Sequence, residues 1–172
     1  MKRVQLLALA ASLAICAANA SDAVKGSQTE VLGYSLGAST CDEIRRNLAS
    51  SHPELIEGKM SDIPQKYKAL TSNSTGFGVV GLKQVSMLCE DSLKSTLRGA
   101  SLLFEKSATQ SILDIFDKKY TKLQKEGESI LYKTPGGVLI ANSTPTGLKA
   151  IYTDMTLFQD LSDMANGMSS KL

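Results

Sequence analysis

The first twenty residues limit which part of this chain can fold and where it does so. A basic start precedes a short apolar run over residues 4–18, and the run ends in the small-x-small pattern of residues 18–20. This order is typical of a secretory signal peptide that is cleaved after the last small residue. We therefore expect cleavage between Ala20 and Ser21, which leaves residues 21–172 to fold as a single exported domain.

A lipoprotein signal is the alternative interpretation of the leader, with Cys16 as the lipid-attachment residue. Such a signal normally has a small residue directly before the cysteine, and bulky Ile15 occupies that position here. The apolar run is too short to span a bilayer, and no second run of about 18 apolar residues follows it. The compact leader is of bacterial type. We therefore expect a periplasmic protein without a transmembrane segment, and anchoring through Cys16 stays an alternative.

The formal charge of the chain also belongs to the leader. The 172 residues carry 19 basic and 17 acidic side chains, a net charge of +2, and Lys2 and Arg3 supply this whole excess. The exported part is therefore close to neutral. Because a partner held by phosphate neutralisation requires a basic face, we do not expect a nucleic acid as partner.

After removal of the leader, two cysteines remain, Cys41 and Cys89. Export would place both in an oxidising compartment. Cys41 shares a predicted helical face with Ile44, and Cys89 shares a predicted strand face with Met87. Both sulfurs would then point at one core, so we expect one disulfide between them. In the chain-entropy model, closing this loop stabilises the fold by about 4 kcal/mol. Two buried free thiols are the alternative.

Hydrophobic periodicity and turn residues predict an α+β domain made of two helix-plus-antiparallel-meander units. In the first unit, a capping box at Thr40 opens a helix that runs to about Ala49. Aromatic, β-branched and alternating apolar residues then predict three strands, near residues 65–72, 76–89 and 96–105.

The second unit repeats this succession. A helix that Ser107 caps extends to Gly127, with one apolar face formed by Leu113, Phe116, Tyr120 and Leu123. Three short strands joined by tight turns follow, at Ile130–Lys133, Val138–Asn142 and Leu148–Thr153. A C-terminal amphipathic helix closes the chain, with its apolar stripe at Leu157, Leu161, Met164 and Met168.

Residues Gly33–Gly37 read Gly-x-Ser-x-Gly, the pattern that surrounds the nucleophile of α/β-hydrolases, with Ser35 at its centre. A serine nucleophile requires a base, and the single histidine, His52, lies next to Pro53 and close behind the serine in sequence. The usual order of serine, acid and a distant histidine is absent. We therefore expect a chance match and no enzyme. A small serine hydrolase that uses Ser35 and His52 remains as an alternative.

Other residues that could carry chemistry are expected to be solvated. One histidine and two cysteines that pair leave too few ligands for a zinc site. Gly76–Gly78 lacks the third glycine and the following helix of a dinucleotide fingerprint. The lysines of the second predicted helix interleave with acids, and they are Lys118, Lys119, Lys122 and Lys125. Acidic pairs lie at caps, turns and loops, at Asp42 and Glu43, Glu90 and Asp91, and Glu126 and Glu128. We expect no catalytic residue, metal or cofactor.

Two short segments carry a resemblance to a known group. Leu36–Ile44 reads leucine-glycine-x-serine and then glutamate with an apolar residue, and Asp117–Tyr120 ends the second helix in Lys-Lys-Tyr. The first segment resembles the start of the first helix in small bacterial periplasmic proteins, and the second is similar to a Lys-Tyr helix ending common in uncharacterised periplasmic proteins of this build. The first of these groups includes outer-membrane assembly lipoproteins of the SmpA/OmlA kind and β-lactamase-inhibitor-like domains. The resemblance implies a non-catalytic, protein-binding domain and transfers no site residue. This chain departs from the lipoproteins at Ile15.

Without a cofactor motif or a nucleophile–base pair, the sequence predicts a protein that binds another envelope or periplasmic protein in an accessory or assembly role. An inhibitor or immunity protein against a hydrolase or toxin is the alternative. An inhibitor needs a loop that reaches a cleft, and the turns at Thr134–Gly137 and Asn142–Gly147 are the candidates.

Overall fold

Ten β-strands and three α-helices lie in the part of the chain that the computed structural model describes, residues 28–51, 54–73 and 77–169. The leader with Cys16 and the Ala20–Ser21 bond, the histidine His52 and Gly76 fall outside these residues. The first elements are β1 (Glu30–Val31), β2 (Tyr34–Ser35), α1 (Cys41–Ser51), β3 (Ile56–Gly58), β4 (Tyr67–Ser72), β5 (Leu82–Glu90) and β6 (Leu97–Glu105). After a 3-10 turn at Lys106–Ala108 come α2 (Thr109–Lys119), β7 (Thr121–Glu126), β8 (Ser129–Thr134), β9 (Gly137–Thr144), β10 (Gly147–Asp154) and α3 (Met155–Ser169).

Eight strands form one antiparallel sheet in the order β3-β4-β5-β6-β10-β9-β8-β7. Strands β3 to β6 form one meander and β7 to β10 the other, and β6 pairs with β10 at the centre. A helix precedes each meander, so each half of the sheet repeats the same succession from its edge inwards. The α+β fold with two helix-plus-meander units and a C-terminal helix is confirmed, with four strands in each unit instead of the expected three.

Different helices cover the two faces of the sheet. On one face, Ile44 of α1 and Phe116 of α2 belong to the same buried cluster. On the other face, Leu157 of α3 is fully buried. Because successive strand residues point to opposite faces, Met87 joins the cluster of α1 while its neighbour Leu88 joins that of Leu157. The sheet therefore lies between two apolar layers, and the helices of the described chain do not cover its edges and turns.

The second predicted helix is wrong beyond Lys119. Tyr120 has an extended backbone, and the residues after it pair with β8 as the edge strand β7. The turn between the two strands holds Gly127 at a φ of 54°, a left-handed conformation that glycine adopts at little cost. Leu123, expected on the buried helical face, is 41% exposed. Its helical spacing from Phe116 is a coincidence, because cross-strand hydrogen bonds govern this segment.

The two predicted helix starts have different outcomes. At α1, the N–H of Glu43 donates to the Thr40 hydroxyl oxygen at 3.4 Å, which is the expected cap. At α2, Ser107 lies in the 3-10 turn and its hydroxyl donates to Glu105 at 3.2 Å instead. Ala108 occupies the N-cap position and provides no side-chain cap. The prediction that Ser107 caps α2 is therefore wrong.

Candidate functional site

Ser35 lies in a β-hairpin, not at a strand-to-helix elbow. Strands β1 and β2 pair across a turn whose residues, Leu32 and Gly33, both have positive φ angles. The N–H of Ser35 donates to the Ser39 hydroxyl oxygen at 3.0 Å, and the Ser35 carbonyl accepts from the N–H of Ser39 at 2.9 Å. Among the described residues, the Ser35 hydroxyl has no hydrogen-bond partner. This geometry favours a tight backbone turn over a hydrolase elbow, and the absence of enzyme activity stays a prediction.

Cys41 and Cys89 are joined as the sequence predicts. Their sulfur atoms lie 2.01 Å apart, and both residues are fully buried. Cys41 is the first residue of α1, and Cys89 lies one residue before the end of β5. The bond therefore fastens the start of α1 to the sheet directly beside the turn between β5 and β6.

That turn, residues 91–95, carries an exposed apolar side chain and is called the Leu93 turn below. Leu93 has a relative exposure of 107%, the highest among the exposed large apolar residues of the described chain. A single exposed leucine is common on protein surfaces and indicates nothing by itself. The Leu93 turn becomes a candidate site because of how its backbone is held.

Contacts on both sides hold the Leu93 turn. The N–H of Asp91 donates to the carbonyl of Lys66 at 2.7 Å, and the N–H of Cys41 donates to the carbonyl of Ser95 at 2.8 Å. The Lys59 ammonium lies 2.7 Å from the Asp91 carboxylate, and its hydrogen bond holds the pKa of Asp91 below the ordinary value. The backbone is thus fixed by α1 and by the β3–β4 side of the sheet, while the Leu93 side chain contacts solvent.

Ser95 closes the Leu93 turn in a strained conformation. Its φ angle is 32°, which non-glycine residues rarely adopt. Its hydroxyl oxygen is buried and has no hydrogen-bond partner among the residues described. Such strain costs on the order of 1–3 kcal/mol and persists where the surroundings enforce it, often at functional sites. An isolated bridge between Thr40 and Thr96 and the bond to Cys41 supply that constraint here.

The two turns expected as inhibitor loops lie at opposite ends of β9. The Thr134–Gly137 turn exposes Pro135 and Gly136 at its tip and is held at its base, where the hydroxyl oxygens of Thr29 and Thr134 are hydrogen-bonded at 2.9 Å. In the Asn142–Gly147 turn, the Thr144 hydroxyl donates to a carbonyl within the turn at 3.0 Å. Neither turn carries an exposed large apolar residue. The structure therefore points to the Leu93 turn instead, which the sequence pattern did not single out.

Two of the three acidic pairs that the sequence offers as possible acids and bases, Asp42–Glu43 and Glu90–Asp91, contribute side chains to ion pairs. Glu90 accepts from Arg98 at 2.9 Å, and Asp154 accepts from the same guanidinium at 3.1 Å. Burial by itself lowers the pKa of Arg98, but the hydrogen bonds to Glu90 and Asp154 raise that pKa above its ordinary value. Asp42 pairs with Arg45 on the exposed side of α1. In residues 28–51, 54–73 and 77–169, no group of three or more His, Cys, Asp or Glu could hold a metal ion.

An open cleft of about 460 Å³ lies between the start of α2 and the β7–β8 hairpin. Its polar lining includes Lys106, Lys125, Glu128, Ser143 and Thr144. Two lysines and one glutamate line it together, so its charge does not select one class of ligand. The cleft also holds no histidine or cysteine, and it supports no catalytic assignment.

The Leu93 turn is therefore the feature of this fold that best fits a recognition site. None of the helices in the described residues is long and apolar enough to cross a membrane. No protein-family model, curated protein or solved structure matches this chain.

Proposed function

We propose that this chain is an exported, non-catalytic protein of the bacterial envelope that binds another envelope or periplasmic protein through the Leu93 turn. An accessory or assembly role in the envelope is the function proposed first. The observation that carries the proposal is Leu93 itself, fully exposed on a backbone fixed by a disulfide and by tertiary hydrogen bonds. The proposal assigns no cofactor, metal or catalytic residue.

The exposure of Leu93 and the fixed backbone of its turn both favour binding energetically. Burying a leucine side chain against a partner gains about 1.5–3 kcal/mol from the hydrophobic effect. A loop that is already fixed loses little conformational entropy on binding, so more of that gain remains as affinity. The backbone hydrogen bonds from Cys41 to Ser95 and from Asp91 to Lys66 restrict the loop before any partner arrives.

The leader supports the envelope location. A basic start, a short apolar run and Ala18–Ala20 direct export, and the two cysteines of the exported chain suit an oxidising compartment. Intact mass of the exported protein tests this part separately. A mass that begins at Ser21 supports the periplasmic form, whereas a lipid-modified mass that begins at Cys16 contradicts it.

The binding proposal is tested by affinity capture from envelope extract under oxidising conditions. Three forms of the full chain are exported and compared, namely wild type, Leu93→Asp and Val80→Asp. Val80 is a matched control because it is also an exposed aliphatic residue in a turn, at 86% exposure. We expect one protein in near-stoichiometric amount with wild type and Val80→Asp, and its recovery reduced about tenfold or more with Leu93→Asp. Equal recovery with all three forms, or none with wild type, contradicts the proposal.

An inhibitor or immunity protein is the second candidate, and the shape of the Leu93 turn favours it. A single apolar side chain at the tip of a fixed turn suits insertion into the cleft of an enzyme. If the captured protein is a hydrolase or toxin, titration with wild type should abolish its activity at an equimolar ratio, and Leu93→Asp should not. An undiminished activity supports the accessory role instead.

The serine hydrolase alternative has its own experiment. Wild type and Ser35→Ala are assayed with short-chain ester substrates. We expect no activity in either form, because the Ser35 segment is a hairpin and turn. Ester hydrolysis by wild type that Ser35→Ala abolishes would overturn the non-catalytic assignment.

A further inference from the structure

The two edges of the eight-stranded sheet differ in length. At one edge, β3 has three residues, and at the other β7 has six. Five of the six β7 residues are exposed, and within the described chain the backbone of β7 forms hydrogen bonds only with β8. In an antiparallel ladder, alternate residues of an edge strand turn their N–H and C=O groups outwards. Strand β7 therefore presents backbone groups that another strand could pair with.

The side chains along this edge are basic on one face of the sheet. Lys122 lies opposite Tyr132, and Lys125 lies opposite Ile130. Tyr132 and Ile130 both belong to the face of the sheet that α2 covers. The bulge between Lys122 and Gln124 places both lysines on that face although they are three residues apart.

The positive charge of this edge is only partly compensated. Lys122 pairs with Asp117 at 3.0 Å. Lys125 has no ion pair within the described residues, and neither have Lys118 and Lys119 at the end of α2. Glu126, the acidic residue of β7, lies opposite Ser129 and therefore on the other face of the sheet. On the face that carries Lys122 and Lys125, Lys125 is the lysine of β7 that is left for a partner's carboxylate.

This arrangement selects against a second copy of the chain. In an antiparallel pairing of two β7 strands centred on residues 123 and 124, Lys122 of each strand would lie opposite Lys125 of the other. Like charges directly opposite each other destabilise a strand pair. A strand with acidic residues at alternate positions would instead place each carboxylate opposite a lysine.

We infer that the outer edge of β7 binds an extended acidic segment of another protein by strand addition. Backbone hydrogen bonds to β7 would supply affinity that does not depend on side chains. Carboxylates opposite Lys122 and Lys125 would supply the preference for an acidic sequence. This surface is separate from the Leu93 turn, so it does not depend on the function proposed above.

The probe is a short fluorescein-labelled peptide in which glutamate alternates with valine, with a lysine–valine peptide as its control. Binding to the exported wild-type chain is followed by fluorescence anisotropy at low and high salt. Lys125→Glu tests the edge, and Lys83→Glu is the matched control because Lys83 is exposed on β5 and has no ion pair among the described residues. Lys125→Met separates loss of charge from charge reversal, and a circular dichroism spectrum checks the fold of each variant.

We expect wild type and Lys83→Glu to bind the acidic peptide equally, and Lys125→Glu to bind it about tenfold more weakly. Salt should weaken the binding, and hydrogen exchange of the amides of residues 121–126 should slow when the peptide is present. Equal binding by Lys125→Glu and Lys83→Glu, or no binding by wild type at low salt, overturns the inference. Peptide binding that leaves the amide exchange of β7 unchanged also overturns the inference. Preferential binding of a single-stranded oligonucleotide at this edge overturns it as well.

Discussion

The backbone N–H of Cys41 donates a hydrogen bond to the carbonyl oxygen of Ser95 at 2.8 Å. The sulfur of the same Cys41 is bonded to Cys89. The first residue of α1 therefore holds the β5–β6 hairpin at two points, one on each side of Leu93 in sequence. Because the proposed contact depends on a fixed turn, we expect α1 to matter for binding although it carries no exposed apolar anchor.

Removal of the disulfide should weaken both stability and binding. Cys41→Ala with Cys89→Ala should lower the free energy of unfolding by up to about 4 kcal/mol, because the unfolded chain regains the freedom of a long loop. Urea denaturation of wild type with and without reductant, and of the double variant, measures the difference. Reductant should destabilise wild type and leave the double variant unchanged. An unchanged denaturation midpoint in the double variant contradicts the structural role of the disulfide.

Asp154 should stabilise the attachment of α3 through two separate contacts. Its Oδ1 atom accepts from the N–H of Leu157 at 2.8 Å, and its Oδ2 atom pairs with Arg98 at 3.1 Å. Asp154→Asn keeps a capping oxygen and removes the charge, and we expect a loss of about 2 kcal/mol. Asp154→Ala removes both contacts and should cost about 1 kcal/mol more.

Urea denaturation distinguishes these two losses. Asp163→Ala on the exposed side of α3 is the control, and its effect should stay within about 0.5 kcal/mol. If all three variants denature together with wild type, Asp154 does not secure α3.

Alkaline pH should destabilise the fold through three tyrosines. Burial, followed by hydrogen bonds to Asp160 and Asp117, raises the pKa of Tyr67 and of Tyr132. Burial, followed by Tyr120, raises the pKa of Tyr152. A raised folded pKa means that the stabilisation is complete below the unfolded value near 10 and declines as pH rises above it. The decline is at most about 1.4 kcal/mol per pH unit for each tyrosine.

Phenolate absorbance and circular dichroism, recorded together from pH 9 upwards, check this expectation. The three tyrosines should ionise only as the fold is lost, and Tyr132→Phe should reduce the pH dependence of stability. Ionisation of all five tyrosines near pH 10 in a chain that keeps its folded spectrum contradicts it.

The parts of the fold that sequence predicts well are those with local causes. Thr40 caps α1 through its own hydroxyl. Buried apolar residues recur at every second position in the later part of β6 because successive side chains of this strand point to opposite faces of the sheet. The cysteine pairing follows from two local patterns that point at one core. Strand β3, at Ile56–Gly58, is too short to produce a periodicity. The sequence does not predict strand β7, because lysine-rich segments suit a helix surface and an exposed edge strand equally well.

The candidate site depends on contacts between distant residues, and no local pattern shows them. The φ angle of Ser95 is enforced by the start of α1, more than fifty residues earlier in the chain. The exposure of Leu93 depends on which elements leave the end of the hairpin uncovered. The only local signal was a leucine between Ser92 and Lys94 in a polar turn between two predicted strands, and such a residue is usually unremarkable.

The most direct test of the central claim is site-specific photocrosslinking in cells that export the full chain. A photoreactive residue replaces Leu93 in one form and Val80 in the other, and covalent adducts in the envelope are separated by mass. We predict one discrete adduct from position 93 and none from position 80, with the position-93 adduct reduced when the Cys41–Cys89 bond is removed. No adduct from position 93, or the same adducts from both positions, would contradict the assignment of the Leu93 turn as the binding site.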